Sequence, residues 1–226
     1  MRVSERYPGE SAREYAYRMI KDNIVSMELE PGSYIAEKDI ALAIGVSRTP
    51  VSVAANELAR TRILDVVAQR GLLISLIDYD MIDEAVFFRS TMEKAIVELA
   101  CEYVEKADID ELHRIVSLQQ YHLDHDRSDL MQLDCDFHQR LYRIARKEGL
   151  YPIVDQMTIH FDRVRAESMR VVKDMKIVLD HAQLVDALAA RDIAGALEIT
   201  RRHLSRYKVD AAAIQAAYPD WVRGRT

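Results

Sequence analysis

One carboxylate and three histidines have the types and the spacing of a metal-binding set. Asp134 and His138 lie four residues apart in the apolar-periodic segment LDCDFHQRLY. His181 follows in LDHAQL and His203 in RRHLSR. Residues four apart on a helix share a face, with Cβ atoms roughly 5–6 Å apart, so the first two can bind one ion together. The other two must come from separate helices, and the four are predicted to converge on one divalent cation.

The donor types narrow the choice of metal without deciding it. Imidazole nitrogens and a carboxylate oxygen suit Zn²⁺ best, and Ni²⁺ or Mn²⁺ are alternatives because the set contains no thiolate. Cys101 and Cys135 lie in apolar-periodic segments and are predicted to be buried thiols without a chemical role. Taken singly, each histidine is more often a half-buried polar side chain than a ligand. The residue types and spacing alone therefore do not exclude ordinary histidines without a bound metal.

Long helices must position these side chains. The chain has 226 residues, 49% of them hydrophobic, and its seven glycines and five prolines are nearly absent from the periodic runs after residue 78. Six helices are predicted there, at about 79–104, 109–125, 128–146, 150–168, 171–190 and 192–217. The short loops between them favour antiparallel neighbours in a bundle.

The first third of the chain carries the signals of a helix-turn-helix. Residues 11–27 predict one amphipathic helix, and residues 36–44 predict a short second helix whose Leu42 faces inward. Gly45 is positioned to end that helix. Ser47 is predicted to cap a third helix, which has a proline in its first turn. A short helix, a turn and a capped helix have the spacing that this motif requires.

A wing is predicted after this motif. The segment ILDVVAQRGLLISLI alternates β-branched and apolar residues around a Gln-Arg-Gly turn, which indicates a two-stranded hairpin. The predicted fold class is therefore mainly α. An N-terminal winged helix-turn-helix with a small β-hairpin wing is expected over residues 1–77, and an antiparallel α-helical bundle over residues 78–226.

Charge and hydropathy limit the partners. The net charge is −6, yet residues 1–77 contain ten basic and ten acidic side chains, so the whole deficit lies in the bundle. Between residues 47 and 70, four arginines accompany two acidic residues, a local surplus that is compatible with DNA phosphates. No segment has the roughly 18 apolar residues that a membrane span needs, and the first residues are polar. No membrane partner and a cytoplasmic location are therefore expected.

The first third of the chain resembles the winged-helix domain of the GntR superfamily of bacterial transcription regulators. The likeness lies in the PG of LEPGS, the EKDIA, the GVSRTPV and the QRG before a strand. It implies that the protein binds double-stranded operator DNA through the start of the third helix and through the wing. The residues concerned are Ser47, Arg48 and Thr49 on the helix and Arg70 and Gly71 on the wing.

One position departs from that pattern. Ser52 stands shortly after the SRTP motif, where the family usually has another arginine. Ser52 belongs to the predicted DNA-contacting set, but a lost guanidinium removes a contact worth roughly 1–3 kcal/mol if it was bidentate. The resemblance therefore does not fix the operator sequence or the affinity. A capped surface helix without a role in DNA binding is the alternative interpretation of this motif.

The remainder of the chain resembles the FCD effector domain of the FadR branch, and its helix count is that of the metal-containing six-helix type. The likeness covers residues 78–217 and lies in D-x-x-x-H with Phe137 before the histidine, and in two later histidines. Arg146 and Lys147 stand where the family often has an asparagine. The metal ligands that the resemblance implies are Asp134, His138, His181 and His203.

Arg89 is a further candidate. It lies four residues before Glu93, which by itself predicts an intrahelical ion pair worth about a few tenths of a kcal/mol. The resemblance instead implies that an arginine at this place holds the carboxylate of a small organic-acid or sugar-acid effector. A planar guanidinium suits that role.

These patterns together predict a metabolite-responsive transcription regulator, a repressor that binds a palindromic operator as a homodimer. Two alternatives are left open. A metal-dependent enzyme acting on a small organic acid would use open coordination positions, but the sequence offers no persuasive general base. A regulator with a purely structural metal would bind its effector elsewhere. No enzymatic activity is expected.

Overall fold

The computed structural model describes residues 1–171, 176–206, 212 and 214–223. Its N-terminal part is a winged helix-turn-helix with three helices and a small sheet. The elements are α1 (Ala12–Val25), β1 (Tyr34–Ile35), α2 (Glu37–Ile44), α3 (Arg48–Ala59), β2 (Leu64–Val67) and β3 (Gly71–Ile74). A capping box starts α1, because the side chains of Ser11 and Glu14 each accept a hydrogen bond from the other's backbone N–H.

The turn between α2 and α3 mostly follows the sequence prediction. Gly45 ends α2 with a φ of 69°, in the left-handed region that favours glycine. Ser47 occupies the N-cap position of α3, but its hydroxyl makes no capping hydrogen bond. The prediction for Leu42 is wrong, because its side chain is 83% exposed while Ile40 and Ile44 are buried. On a helix of 3.6 residues per turn, position 42 lies nearly opposite position 40.

The wing is a hairpin, as predicted, with one additional strand. Strands β2 and β3 pair antiparallel with Val67 opposite Gly71, and β1 pairs with the other edge of β3. Gly71 has a φ of 100°, and a Cβ there would lie 2.5 Å from the carbonyl oxygen of Ile35. Glycine is therefore required for the close approach of β1 and β3. A two-residue strand is too short to produce an alternation that the sequence could show.

The second part of the chain is a helical bundle. Its helices are α4 (Tyr79–Tyr103), α5 (Lys106–Asp124), α6 (Leu130–Ile144), α7 (Tyr151–Met157), α8 (Ile159–Val171), α9 (Ile177–Ala189) and α10 (Ile193–Ser205). No described helix is long and apolar enough to cross a membrane. The helix predicted over 150–168 is two helices, because Thr158 leaves the helical conformation with a φ of −103° and a ψ of 9°. The predictions over 171–190 and 192–217 fall partly outside the described residues, at positions 172–175 and at positions 207–211 and 213.

Three clusters of buried apolar side chains hold these parts together. One fills the bundle, one fills the winged helix, and a third lies at their junction around Ile77, Phe161 and Ile214. Ile159, the first residue of α8, is 1% exposed and belongs to the winged-helix cluster. Met131 packs against both of the larger clusters. The two parts therefore share apolar contacts in addition to their covalent linker.

The chain returns to that linker near its C-terminal end. Val222 forms a parallel bridge with Ile77, whose N–H donates to the carbonyl of Trp221 at 2.8 Å. The carbonyl of Ile77 accepts from the N–H of Arg223 at the same distance. Tyr218 stacks on Trp221, and both rings pack against the junction cluster. The segment after residue 217 is therefore held at the junction by the rings of Tyr218 and Trp221.

Candidate metal centre and DNA-binding surface

Four buried side chains meet inside the bundle. Asp134 and His138 project from α6, His181 from α9 and His203 from α10. One potential ligand atom of each residue lies within 4.8 Å of those of the other three. The structure thus brings together the complete set that the sequence predicts for a divalent cation.

The atoms that meet there lack ordinary partners. Nε2 of His138, Nε2 of His181, Nδ1 of His203 and Oδ1 of Asp134 are buried and form no hydrogen bond with any described residue. Buried polar atoms are nearly always hydrogen-bonded in folded proteins. A cation bound to these nitrogens and this oxygen would satisfy them, and three imidazoles with a carboxylate are a donor set that fits a divalent metal.

Neighbouring side chains orient two of the imidazoles. Nδ1 of His181 lies 2.8 Å from Oε1 of Gln119, whose amide nitrogen donates to the carbonyl of Leu133 at 3.0 Å. An amide oxygen only accepts, so Nδ1 carries the proton and Nε2 presents a lone pair. Nδ1 of His138 lies 3.1 Å from Oε1 of Glu93, and this close approach to a carboxylate favours the same tautomer although the pair does not have hydrogen-bond geometry. Both rings therefore turn a metal-binding nitrogen toward the cluster.

Burial and nearby charges set the protonation states of the cluster. Burial lowers the pKa of His181 to about 3 and the pKa of His203 well below its ordinary value, so both rings are neutral. Burial opposes ionisation of Asp134. The guanidinium of Arg165, 2.9 Å away, nevertheless holds the pKa of that carboxyl well below its usual range. Neutral imidazoles and an ionised carboxylate are the forms that bind metals.

The cysteines do not extend the donor set. Cys135 is half-buried beside the cluster, with its Sγ 3.4 Å from Nη2 of Arg165. Burial raises the pKa of the Cys135 thiol to about 11, and a protonated thiol is a poor metal ligand. Cys101 is buried in the core of the bundle, as predicted, and burial raises its pKa as well.

The second candidate surface lies at the start of α3 and at the turn of the wing. Of the residues predicted to contact DNA, Ser52 and Gly71 are half-buried and the others are exposed, namely Ser47, Arg48, Thr49 and Arg70. Because the Ser47 hydroxyl makes no capping bond, the first backbone N–H groups of α3 have no side-chain acceptor there. An uncapped helix N-terminus with an arginine in its first turn is suited to binding phosphate oxygens.

Comparison with known families decides the identity of both parts. Residues 12–74 match the family described as "Bacterial regulatory proteins, gntR family", and residues 84–206 match the FCD domain. The chain belongs to the GntR family and carries an FCD domain. The resemblance predicted from the motifs is thereby confirmed.

Relatives of this GntR protein extend over nearly its whole length. It is 25% identical to the HTH-type transcriptional repressor RspR of Escherichia coli over 216 residues, 95% of either chain. It is 28% identical to an HTH-type regulator in an unstable DNA locus of Streptomyces ambofaciens, over 94% of this chain and 90% of that one. The structure of E. coli McbR/YncC has the same fold, with a TM-score of 0.78 at 20% identity, covering 92% and 99% of the two chains. As a member of the GntR family, the protein is a DNA-binding transcription regulator and not an enzyme.

In this FCD domain Arg89 belongs to a buried network of ion pairs. Its Nε donates to Oε1 of Glu93 at 2.6 Å, and its Nη1 lies 3.8 Å from Oδ1 of Asp162. The intrahelical pair that the sequence offers as the simpler interpretation is therefore present. Arg89 also lines, together with Arg165, a cavity of about 10 Å³, which has room for one water at most.

Several residues of the GntR regulator's centre were not found by sequence reasoning. Glu93 was recognised as a partner of Arg89 but not as a contact of His138. Gln119 carried no signal, because a glutamine on an amphipathic helix is ordinarily exposed. Asp162 and Arg165 lie in the charged stretch FDRVRAES, which resembles a solvated helix face until its burial is known.

Asp180, directly before the candidate ligand His181, joins α9 to α10. Its buried carboxylate accepts from Nε and Nη2 of Arg202 at 3.0 and 2.8 Å and also binds the guanidinium of Arg206. Nδ1 of His203 lies 3.9 Å from the same carboxylate. These contacts tie α10 to α9 and so fix the relative positions of His181 and His203.

Three further histidines of the bundle stand apart from the cluster. His122 and His125 each contact a backbone carbonyl at the end of α5, away from the buried cluster. His160 had no partner that the sequence could name. In the structure its Nε2 lies 2.7 Å from the carbonyl of Thr61, across the junction between bundle and winged helix.

Proposed function

We propose that this protein is a metabolite-responsive repressor that binds a palindromic operator as a homodimer. In this proposal the winged helix, residues 1–77, contacts DNA, and the bundle, residues 78–226, binds a divalent metal and a small carboxylate or sugar-acid effector. The observation that carries the proposal is the set of buried, unpartnered ligand atoms that meet within 4.8 Å of one another.

The proposed metal ligands are supported by their surroundings as well as by their distances. Gln119 and Glu93 orient two imidazoles, and Arg165 keeps the carboxylate ionised. Zn²⁺ suits the donor set best, with Ni²⁺ or Mn²⁺ as alternatives. A bound ion would supply a Lewis-acidic contact for an anionic group. The ligands assigned are Asp134, His138, His181 and His203.

The charge around the centre supports an acidic effector. The guanidiniums of Arg89 and Arg165 and a divalent ion carry four positive charges between them. Glu93, Asp134 and Asp162 carry at most three negative charges, since burial raises the pKa of Asp162. All five side chains are buried. A surplus of positive charge away from water favours an anion such as a carboxylate, which Arg89 can bind through its planar fork.

The proposed DNA contacts and the direction of regulation have separate support. Ser47, Arg48, Thr49 and Ser52 lie in the first part of α3, and Arg70 and Gly71 lie at the wing turn. The relative RspR is named a transcriptional repressor, which supports repression here. In a dimer, half-sites one helical turn apart tolerate little misplacement, so a modest rotation of the winged helices would change operator affinity.

A native mass spectrum of the full chain tests the metal and the dimer together. The expected species is a dimer with one divalent ion per chain. His181→Ala is expected to lose the ion, whereas His125→Ala, which changes an exposed histidine, should retain it. A metal-free monomer purified under metal-replete conditions would contradict the proposal.

Binding to DNA selected by the protein from a random pool tests the effector. With Zn²⁺ present, at least one compound from a panel of small carboxylates and sugar acids should change operator affinity about fivefold or more. Arg89→Gln should lose that response while retaining DNA binding. Unchanged affinity across the whole panel would count against a carboxylate effector.

One observation favours a second candidate, in which the metal is purely structural. The cavity beside Arg89 has a volume of about 10 Å³, so an effector has no room there without movement of side chains. If the metal is structural, chelation lowers thermal stability and leaves effector affinity unchanged. If the metal contacts the effector, chelation lowers thermal stability and also abolishes effector binding.

A further inference from the structure

Helix α8 touches both the winged helix and the proposed metal centre. Its first residue, Ile159, is buried in the apolar cluster of the winged helix. The next residue, His160, places Nε2 2.7 Å from the carbonyl of Thr61, between α3 and β2. The first turn of α8 is therefore seated in the DNA-binding part of the protein.

One turn further along, α8 enters the metal centre. Nη1 of Arg165 lies 2.9 Å from Oδ2 of Asp134, and Nη2 lies 3.1 Å from Oδ1 of Asp162. Arg165 is five residues from His160, which corresponds to about 7.5 Å along a helix. So short a helical segment is effectively rigid, and a displacement of one residue carries the other with it.

The charges around Arg165 respond to an ion at the centre. Four successive ion pairs form a chain of alternating acidic and basic side chains. The chain runs from Glu93 through Arg89, Asp162 and Arg165 to Asp134. All are at least nine-tenths buried, so their attractions are weakly screened. A divalent ion bound to Asp134 competes with Arg165 for the same carboxylate. Occupancy of the centre therefore changes the force on Arg165.

We propose that α8 transmits the state of the metal centre to the winged helix, with Arg165 as the positioning residue that senses Asp134 and with Ile159 and His160 as the contacts that move. This inference rests on the proposed metal centre. The covalent route through α4, which carries Arg89 and Glu93, is the rival path. The ion pair of Lys21 with Asp155 adds a further tie between the two parts.

Hydrogen exchange of the full chain, with and without Zn²⁺ as the sole probe, tests the proposal. In the wild type, Zn²⁺ should change the exchange of backbone amides in α1 and in residues 61–64 by about fivefold or more. His160→Ala should bind Zn²⁺ within about twofold of the wild type, because it lies outside the cluster, and should lose the change in the winged helix.

Arg165→Gln tests the end of α8 that contacts the metal centre, whereas His160→Ala tests the end that contacts the winged helix. It should weaken Zn²⁺ binding about tenfold, because Arg165 orients the ligand Asp134. At saturating Zn²⁺ it should also lose the change in hydrogen exchange in the winged helix. Arg170→Gln is the matched control, because it makes the same change on the exposed end of α8 and should retain both properties. If Arg165→Gln fails to fold, His160→Ala still decides the question.

Each outcome has a distinct meaning. A wild type that binds Zn²⁺ without any change in the winged helix overturns transmission and leaves the metal centre standing. A full response in His160→Ala also overturns it and favours the route through α4. A wild type that binds no Zn²⁺, Ni²⁺ or Mn²⁺ removes the metal centre and this inference together.

Discussion

The winged helix and the bundle keep their polar residues in opposite environments. Among the described residues before position 78, Asn23 is the one buried polar side chain, and most of the proposed DNA contacts are exposed. The bundle instead buries a network of carboxylates, guanidiniums and imidazoles at its centre. Stability and function are therefore expected to be separable in the winged helix. In the bundle the same side chains serve both.

The largest expected effect concerns metal-dependent stability of the bundle. With free Zn²⁺ about 1,000-fold above its Kd, a bound ion stabilises the folded chain by about 4 kcal/mol. His181→Ala should lose most of this stabilisation, as measured by denaturant unfolding with Zn²⁺ or with a chelator. His125→Ala, an exposed histidine, should keep it. If Zn²⁺ stabilised the two variants equally, His181 would not be a ligand of the ion.

A change to the buried network should be costly even without metal. Glu93→Gln leaves Arg89 without its nearest carboxylate, at 2.6 Å, and should lower the free energy of unfolding by about 3 kcal/mol. Glu98→Gln, an exposed position on the same helix, should change it by less than about 0.5 kcal/mol. Denaturant unfolding of the chelated protein measures both. Similar values for the two would show that the network adds nothing to stability.

The winged helix should behave in the opposite way. Arg48→Ala should weaken operator binding by about 2 kcal/mol, or roughly thirtyfold, through loss of a base or phosphate contact. Its free energy of unfolding should stay within about 0.5 kcal/mol of the wild type, because the side chain is exposed. Arg13→Ala, at an exposed position on α1, is the control for nonspecific loss of positive charge. A similar loss of affinity in both variants would exclude a specific contact by Arg48.

The smallest effect is expected at the junction of the two parts. Burial lowers the pKa of His160, so the folded chain keeps the ring neutral while the unfolded chain takes up a proton below about pH 6.5. The stability that this ring contributes is present above pH 6.5 and is lost as the pH falls below it. The loss is at most about 1.4 kcal/mol per pH unit.

His160→Gln isolates this contribution. The glutamine side chain retains a donor for the Thr61 carbonyl but does not titrate, so its unfolding free energy should fall less steeply between pH 6.5 and 5, by about 1 kcal/mol overall. The difference between the two pH profiles is the quantity to measure, since other histidines contribute equally to both. Parallel profiles would show that protonation of His160 is not linked to folding.

The same contrast explains what the sequence could predict. Gly45, the proline in α3 and the Gln-Arg-Gly turn act locally, so the helix-turn-helix and the wing follow from short-range rules. Asp134 and His138 were found from their residue types and their helical spacing, and the resemblance to the FCD domain added His181 and His203. Leu42 was misplaced because the apolar residues of α2 outnumber the positions that face inward.

The rest depends on packing that no local pattern encodes. The break at Thr158 has neither proline nor glycine, yet it determines that Ile159 enters the winged-helix core. The burial of Arg165 and Gln119 results from contacts between helices far apart in the chain. Charged residues on a helix are ordinarily solvated, so the sequence alone assigns such residues to the surface.

The pairing of Ile77 with Val222 affects how the protein is best dissected. Dividing the chain after residue 77, at the predicted domain boundary, would remove the backbone hydrogen bonds between Ile77 and the segment around Val222. Val222 would then be left without its pairing partner. Removal of residues 218–223 would in turn expose the apolar face on which Tyr218 and Trp221 pack. Unpaired edges with exposed aromatic neighbours promote aggregation. Isolated halves of this regulator are therefore expected to be poor substitutes for the intact chain.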